Sequence, residues 1–154
     1  MMENRTVTDD LVTWLRQQLD DDEQAARKAA SLCGCHPPAM RWRFGDESTS
    51  GRILVVDDPH PQPRRRLARR WNRSYDGLFM ATHIARHDPA RVLAEVDAKR
   101  RILADLTTRR LDPSEPDGGW EAADAETDGM ASSVVRLLAL PYADRPGYRE
   151  EWRP

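Results

Sequence analysis

The apolar positions near the start of the chain recur with the period of an α-helix. Leu11, Leu15 and Leu19 are four residues apart, and alanines continue the same stripe toward Gly34. Apolar residues at this spacing lie on one face of a helix, and the charged residues between them occupy the other face. The pattern predicts an amphipathic helix of about 22 residues, with Thr8 as its N-cap and its end before Gly34.

After this helix the hydrophobic period changes to two. Met40, Trp42 and Phe44 alternate with arginines, and the apolar run "RILVV" follows the turn-like segment "GDESTSG". Alternation is typical of a half-buried strand, and two such strands joined by a turn predict a β-hairpin. Because an isolated hairpin is only marginally stable, we expect a helix to cover one of its faces.

The strongest helical pattern spans residues 78–111 and contains one break. Asp88 is a favoured N-cap, and Pro89 suits the first helical position because its fixed φ is already helical and its missing N–H has no partner there. The residue before a proline is biased away from helix. We therefore predict that one helix ends near His87 and that another begins at Pro89.

The last part of the chain combines an acidic segment with an aromatic tail. Residues 112–129 hold seven acids, two prolines and a Gly-Gly pair but no base, which is typical of a flexible linker. The run "MASSVVRLLAL" then predicts a short helix or strand that ends at Pro141. Three large aromatic side chains are too many for a free tail, so we favour Tyr142, Tyr148 and Trp152 as anchors on the core. The alternative is that "YREEWRP" is a peptide that a partner recognises.

Together these elements predict an α+β, helix-dominated fold. It comprises an N-terminal helix, a β-hairpin or small antiparallel sheet, a broken long helix and a docked C-terminal segment. A chain of 154 residues suits a single domain. We expect a helix/hairpin/helix core at 1–111, the acidic linker at 112–129, and a segment at 130–154 that docks on the same core.

Composition limits the classes of partner. The formal net charge of −2 provides no overall attraction to nucleic acid or membrane. No apolar run approaches the roughly 18 residues of a membrane span, and the N-terminus lacks an apolar signal region. Only Lys28 and Lys99 are lysines among 24 basic residues, which is typical of a GC-rich genome and weakens arguments from arginine counts. We expect a cytoplasmic protein with no membrane partner.

A histidine pair and a cysteine pair raise the question of metal binding. His83 and His87 have the spacing of the H-E-x-x-H zinc proteases, but Ile84 occupies the position of the catalytic glutamate, which excludes that chemistry. A structural zinc site would combine both histidines with Cys33 and Cys35. The C-x-C spacing is tighter than that of most zinc ligand pairs.

The zinc hypothesis is therefore weaker than the interpretation of the two histidines as ordinary helix residues. In a variant of the zinc site, His36 could replace one of the four ligands. The break at Asp88 would also turn His87 away from the face that carries His83. We favour His83 as a partly buried polar residue and His87 as a helix-terminal residue, where a positive imidazolium suits the helix dipole. No cofactor is expected, and zinc remains the alternative.

The segment "RRRLARRWNR" contains six arginines and a tryptophan. Guanidinium groups contact phosphates and an indole stacks on bases, so the segment could bind nucleic acid. The negative net charge, the general arginine bias and the absence of a helix-turn-helix, zinc-finger or RNA-recognition motif favour a solvated loop or protein-binding patch instead. The residues of the nucleic-acid alternative are Arg64, Arg65, Arg66, Arg69, Arg70 and Trp71.

Catalytic motifs are missing from the sequence. Ser132 and Ser133 lie in "MASSVV", without the G-x-S-x-G elbow of serine hydrolases. The chain has no P-loop and no G-x-G-x-x-G, and nothing beside the cysteines marks an activated thiolate. We therefore expect no catalytic residue.

Three segments carry a resemblance to other proteins: "DDLVTWLRQQLDDDEQAAR", "HIARHDPARVLAEVDAKRRIL" and "LLALPYADRPGYREEWRP". In combination the chain resembles an uncharacterised family of small proteins from actinobacteria and their phages. That family usually has a Thr-Pro-Gly-Pro-Trp-like turn after the first helix, where this chain has "HPPAMRWRF" with Trp42 as the nearest equivalent. The resemblance implies no established activity and no catalytic residue, and it implies a setting linked to phages or mobile elements.

These observations favour a non-catalytic cytosolic module that binds or regulates another protein. Nucleic-acid binding through the arginine-rich segment is the alternative, and a small zinc-binding module is the weaker alternative.

Overall fold

The computed structural model describes residues 2–31, 34, 36–44, 54–56, 75–111 and 121–154. Over these residues the predicted α+β, helix-dominated class is confirmed. The elements are α1 (Met2–Ser31), β1 (Trp42–Phe44), β2 (Leu54–Val56), α2 (Tyr75–Arg86), α3 (Pro89–Leu111) and α4 (Glu121–Ala139), followed by 3₁₀ turns at Leu140–Tyr142 and Glu150–Trp152.

The chain divides into two compact units. We call Met1–Asp21 together with Asp97–Pro154 the terminal unit, and Asp22–Val96 the central unit. Each of α1 and α3 contributes residues to both. The predicted single-domain organisation stays a prediction.

The two units bury different kinds of side chain. Large apolar groups form the core of the terminal unit: Leu11, Leu15, Leu19, Leu103, Val135, Tyr142 and Trp152. Small groups dominate the buried apolar residues described in the central unit: Ala26, Ala30, Ala39, Ala81, Pro89 and Val96. Burial of large side chains contributes most to the hydrophobic free energy, so the described part of the terminal unit holds the stronger core.

Helix α1 confirms the leucine stripe but not the predicted start. Leu11, Leu15 and Leu19 are each at most 1% exposed. The predicted N-cap at Thr8 is wrong, because α1 already begins at Met2 and Thr8 is a buried residue inside it. A threonine just before an apolar repeat is compatible with an N-cap and also with a position inside the helix, where its hydroxyl can bond to a backbone carbonyl one turn earlier.

The end of α1 lies where Gly34 predicts it. The helix ends at Ser31, and the N–H of Gly34 donates to the carbonyl oxygen of Ser31 over 2.9 Å. Gly34 has φ +63°, the left-handed conformation that glycine adopts without a steric penalty. The N–H of Ala39 then donates to the carbonyl oxygen of Ala30 over 3.0 Å, which returns the chain to the end of the helix.

The predicted hairpin is confirmed. Strands β1 and β2 pair antiparallel, with Trp42 opposite Val56 and Phe44 opposite Leu54. Helix α2 contacts β1, which satisfies the expectation that a helix covers the hairpin.

The predicted break between α2 and α3 is also confirmed, and Asp88 organises it. Helix α2 ends at Arg86 and α3 begins at Pro89. One carboxylate oxygen of Asp88, Oδ1, accepts the N–H of Arg91 over 2.9 Å, which is the N-cap bond predicted from the sequence. Its Oδ2 accepts the N–H of Trp42 over 3.3 Å. This buried carboxylate therefore joins the start of α3 to the start of β1.

The structure differs from the prediction over residues 121–129. They form the first half of α4 rather than a linker, whereas residues 112–120 lie outside the described part of the chain. The segment "EAADAETD" is rich in alanine and acids, and alanine has the highest helix propensity while carboxylates favour the first turns of a helix. The acidic composition that predicted a linker is thus equally suited to a helix N-terminus.

Candidate interaction surface

Helix α4 carries apolar side chains on two opposite faces. Its buried face consists of Ala131, Val135 and Ala139, which are spaced four residues apart and lie in the core of the terminal unit. Met130 and Leu137, seven residues apart, lie on the opposite side. The sequence segment "MASSVVRLLAL" supplies both faces at once.

The outer face is exposed. Met130 is 65% exposed, Leu137 is 56% exposed and Leu140, in the 3₁₀ turn that follows the helix, is 41% exposed. We call these three residues the α4 face. A helix on the surface of a globular protein normally presents polar residues to solvent, whereas a helix that is apolar all round is buried on all sides. The α4 face therefore departs from this pattern at three positions, and the hydroxyl of exposed Ser133, which lies on the same side, donates to the carbonyl oxygen of Gly129.

The C-terminal tail holds the end of α4 in place. The guanidinium of Arg136 donates from Nη1 to the carbonyl oxygens of Glu151, over 2.6 Å, and Arg153, over 3.2 Å. Both carbonyls belong to the second 3₁₀ turn or the residue after it, so one arginine side chain joins α4 to the last residues of the chain. Arg136 lies on the same helix as the α4 face, and these bonds restrict the orientation of that helix.

Three aromatic rings anchor the tail on α1. The ring of Trp14 lies 5.5 Å, between centroids, from both Tyr148 and Trp152, and those two lie 5.8 Å apart in an edge-to-face arrangement. Such centroid separations are typical of favourable aromatic pairs. We call these residues the aromatic cluster. The prediction that the aromatic residues of the tail are structural anchors is confirmed for Tyr142 and Trp152, which are 3% and 2% exposed.

The turn before Tyr148 fits closely against Trp14. The indole Nε1 donates to the carbonyl oxygen of Pro146 over 3.1 Å. Gly147 has φ +85°, and a Cβ added to it would lie 3.0 Å from that same Nε1. Glycine is therefore required at this position for two reasons: its backbone conformation and the close approach of the indole.

Charged groups surround the remaining aromatic anchor. Lys99 donates from Nζ to the hydroxyl oxygen of Tyr142 over 3.0 Å, and the guanidinium carbon of Arg145 lies 4.6 Å from the centre of the same ring. Arg145 also donates to the side-chain oxygen of Gln18 over 3.4 Å. These contacts give the hydroxyl of the buried tyrosine a hydrogen-bond partner, and they connect α1, α3 and the tail within the terminal unit.

The structure corrects the expected environment of the histidine pair. His83 is exposed rather than partly buried, and the break at Asp88 does not separate the two side chains. Their ring centroids lie 4.3 Å apart, and Nδ1 of His87 lies 2.8 Å from the carbonyl oxygen of His83. His87 follows the last residue of α2, as predicted for a helix-terminal residue.

A family model matches residues 8–154, which is nearly the whole chain, and it describes a family of unknown function, DUF6221. The chain belongs to this family. The match includes α4, the α4 face, the aromatic cluster and the histidine pair. It confirms the resemblance to an uncharacterised family, while the actinobacterial and phage origin of that family stays a prediction. No curated protein and no solved structure matches the chain.

Several predicted site residues lie outside the described part of the chain. These are the cysteines of the zinc hypothesis, Cys33 and Cys35, and the residues of the nucleic-acid hypothesis, Arg64, Arg65, Arg66, Arg69, Arg70 and Trp71. Both hypotheses therefore stay predictions. Among the residues that are described, no three His, Cys, Asp or Glu side chains are grouped so that they could hold a metal ion.

The helices that the structure describes include none with the length and hydropathy needed to cross a membrane.

Sequence reasoning located the apolar run of α4 but missed its outer face. It interpreted Val134, Val135, Leu137, Leu138 and Leu140 as one helix or strand that docks on the core. The signal that could have revealed the outer face was the density of the run, because a helix that packs on one side needs apolar residues on only about a third of its surface.

Proposed function

We propose that this protein is a non-catalytic cytoplasmic module that binds another protein through the α4 face. The observation that carries the proposal is the exposure of Met130, Leu137 and Leu140 on the side of α4 opposite its buried residues. The bonds of Arg136 to the carbonyl oxygens of Glu151 and Arg153 hold this helix to the C-terminal tail and so support a defined orientation of the apolar surface.

The size of the apolar surface supports binding in energetic terms. Complete burial of a leucine or methionine side chain contributes about 1.5–3 kcal/mol. Each of the three side chains still has roughly half of its surface exposed, so a partner that covers them would gain about 1 kcal/mol from each. A central group of a few such residues carries most of the free energy in protein interfaces.

The geometry favours a partner with an apolar groove. Met130, Leu137 and Leu140 are spaced as the anchors of an amphipathic helix that lies in a groove. The first eight residues of α4, "EAADAETD", contain four acids and no base. A groove with a basic rim near that end of the helix would complement this charge and favour correct orientation.

The other parts of the proposal rest on the sequence. A non-catalytic role is supported by the lack of a nucleophile elbow, P-loop or other catalytic motif anywhere in the 154 residues. A cytoplasmic location is supported by two cysteines in place of a disulfide framework. The resemblance to actinobacterial and phage proteins supports a regulatory role linked to a phage or mobile element.

An affinity capture with matched variants tests this proposal. The tagged full-length protein is incubated with lysate of the organism that encodes it, in parallel with Leu137→Glu and with Met80→Glu. Met80 is 51% exposed on α2, so the control makes the same kind of change away from α4. We expect a partner that the wild type and Met80→Glu retain and that Leu137→Glu loses, with affinity reduced at least tenfold when the purified pair is measured.

The alternatives have distinct outcomes in this capture and in a sedimentation experiment. A partner that binds Leu137→Glu as tightly as the wild type contradicts the α4 face as the binding surface. The absence of any specific partner contradicts the proposed function. Sedimentation of the purified chain identifies a second copy as the partner if the wild type forms a dimer that Leu137→Glu does not.

A further inference from the structure

Two histidine side chains lie close together at the end of α2, and the proposed binding through the α4 face does not involve them. His83 lies in the last turn of α2 and His87 in the turn that follows, and both side chains are exposed. The N–H of His87 donates to the carbonyl oxygen of Ile84 over 3.0 Å. This bond continues the helical winding one residue past α2, and it keeps the two imidazoles on the same side with 4.3 Å between centroids.

The hydrogen bond of the His87 ring determines which nitrogen can bind a metal. Nδ1 lies 2.8 Å from the carbonyl oxygen of His83. A carbonyl oxygen only accepts, so Nδ1 carries the proton and Nε2 of neutral His87 keeps its lone pair. Metal-binding histidines usually donate their second ring nitrogen to a carbonyl or carboxylate in this way, which fixes the ring and raises the basicity of the ligand nitrogen.

The separation of the rings is compatible with two ligands of one metal ion. With a metal–nitrogen distance of ~2.0 Å, two imidazoles that radiate from one ion have centroids ~4.5 Å apart at a right angle and ~5.2 Å apart at a tetrahedral angle. The observed 4.3 Å is within this range or just below it, so both rings are close enough to reach one ion. Adjacent ligands at right angles are preferred by Cu²⁺ and Ni²⁺, which adopt tetragonal or square-planar geometry with nitrogen and oxygen ligands.

We propose that His83 and His87 form a two-imidazole chelate for a late first-row divalent metal ion. The expected order of affinity is Cu²⁺ first, then Ni²⁺ and Zn²⁺. Because the described residues bring no third His, Cys, Asp or Glu side chain to the pair, water or a partner molecule completes the coordination. The site differs from the four-ligand zinc site with Cys33 and Cys35, and it does not depend on the α4 face.

Metal titration of the full-length protein tests the chelate. The untagged, metal-free chain is titrated calorimetrically with NiCl₂ and ZnCl₂, and with CuCl₂ in the presence of glycine as a weak competitor. We expect one site per chain, with affinity at least tenfold lower in His83→Ala and in His87→Ala. His36→Ala is the matched control, because it also removes an exposed imidazole but leaves both ligands of the chelate in place, so its affinity should equal that of the wild type.

A second measurement separates the chelate from the zinc alternative and from loss of folding. The Cys33→Ser, Cys35→Ser double variant should retain the site, and the Cu²⁺ electron paramagnetic resonance spectrum should show coupling to two imidazole nitrogens. Metal should raise the Tm of the wild type and of His36→Ala but not that of His83→Ala, whose Tm without metal should be unchanged. Equal affinity in the wild type and His83→Ala, or loss of the site in the cysteine double variant, overturns the proposal.

Discussion

Substitution of Gly147 by alanine tests how the tail is held on α1. The residue has φ +85°, and an added Cβ would lie 3.0 Å from Nε1 and 3.3 Å from Cδ1 of Trp14. The indole cannot withdraw freely, because its Nε1 donates to Pro146 and its ring contacts both Tyr148 and Trp152. Gly147→Ala therefore introduces a backbone penalty and a steric conflict at the same position.

The magnitude follows from these two contributions. An L-residue in the left-handed conformation costs about 1–2 kcal/mol, and an extra methyl group in a closely packed site costs about 1–3 kcal/mol. We expect Gly147→Ala to lower the free energy of unfolding by roughly 3 kcal/mol. For a chain of this size such a change lowers Tm by about 6–12 °C.

Two other glycines provide matched controls in urea unfolding monitored by tryptophan fluorescence. Gly34 has φ +63°, and an added Cβ would meet no described residue within 4 Å, so Gly34→Ala should show the backbone penalty alone, about 1–2 kcal/mol. Gly129 lies inside α4, where an added Cβ is equally clear of the described residues, so Gly129→Ala should raise stability by about 0.5–1 kcal/mol. If Gly147→Ala and Gly34→Ala differ by less than about 0.5 kcal/mol, the close approach of Trp14 contributes nothing and our reasoning is wrong.

Three further predictions concern hydrogen bonding and charge. The buried hydroxyl of Tyr148 has no hydrogen-bond partner among the described residues. Tyr148→Phe should therefore leave the free energy of unfolding in urea unchanged or raise it by up to about 1 kcal/mol. A loss above about 1 kcal/mol would show that the hydroxyl does have a partner. Asp88→Ala should lower the free energy of unfolding by about 1–2 kcal/mol and speed amide hydrogen exchange at Arg91. Asp88→Asn keeps an acceptor oxygen, so its loss of stability should be less than half as large. Equal losses in the two variants contradict the N-cap role. If the arginine-rich segment binds nucleic acid, glutamine at positions 64–66 should reduce the slope of log affinity against log salt, by about 0.9 for each phosphate contact removed on duplex DNA and about 0.7 on a single strand. Wild-type binding that is absent or insensitive to salt excludes this alternative.

The elements that sequence reasoning located correctly depend on local chemistry. Asp88 and Pro89 act on their immediate neighbours in the chain, since an N-cap and a fixed φ take effect within one helical turn. The leucine stripe of α1 and the alternation at Trp42 are likewise periodic patterns, which local geometry converts into a face. The structure has the leucine stripe, strand β1 and the start of α3 at the residues where these patterns predicted them.

The predictions that were wrong concern signals with two local solutions. Thr8 suits an N-cap and also a packed helix interior, and the acids of residues 121–129 suit a linker and also a helix N-terminus. The prediction that the two histidine side chains lie on different faces was wrong for a related reason. The break at Asp88 is real, but the helical winding continues one residue past α2, and this keeps the His87 ring beside that of His83.

The candidate surface was predictable only in part. The sequence shows that α4 has more apolar residues than one buried face requires. Which of them face solvent depends on the position of the helix against its neighbours, and the bonds of Arg136 to the tail contribute to that position. No pattern within α4 distinguishes Val135, which is buried, from Leu137, which is exposed.

The sequence by itself determined the leucine stripe and the end of α1, the hairpin and the break at Asp88, because propensity, capping and periodicity act over a few residues. Only the tertiary structure decided which apolar side chains are covered, why Gly147 must be glycine and how close the two imidazoles lie. Those properties depend on contacts between residues as far apart as Trp14 and Gly147. Such contacts arise from packing and shape, which local patterns along a single chain do not encode.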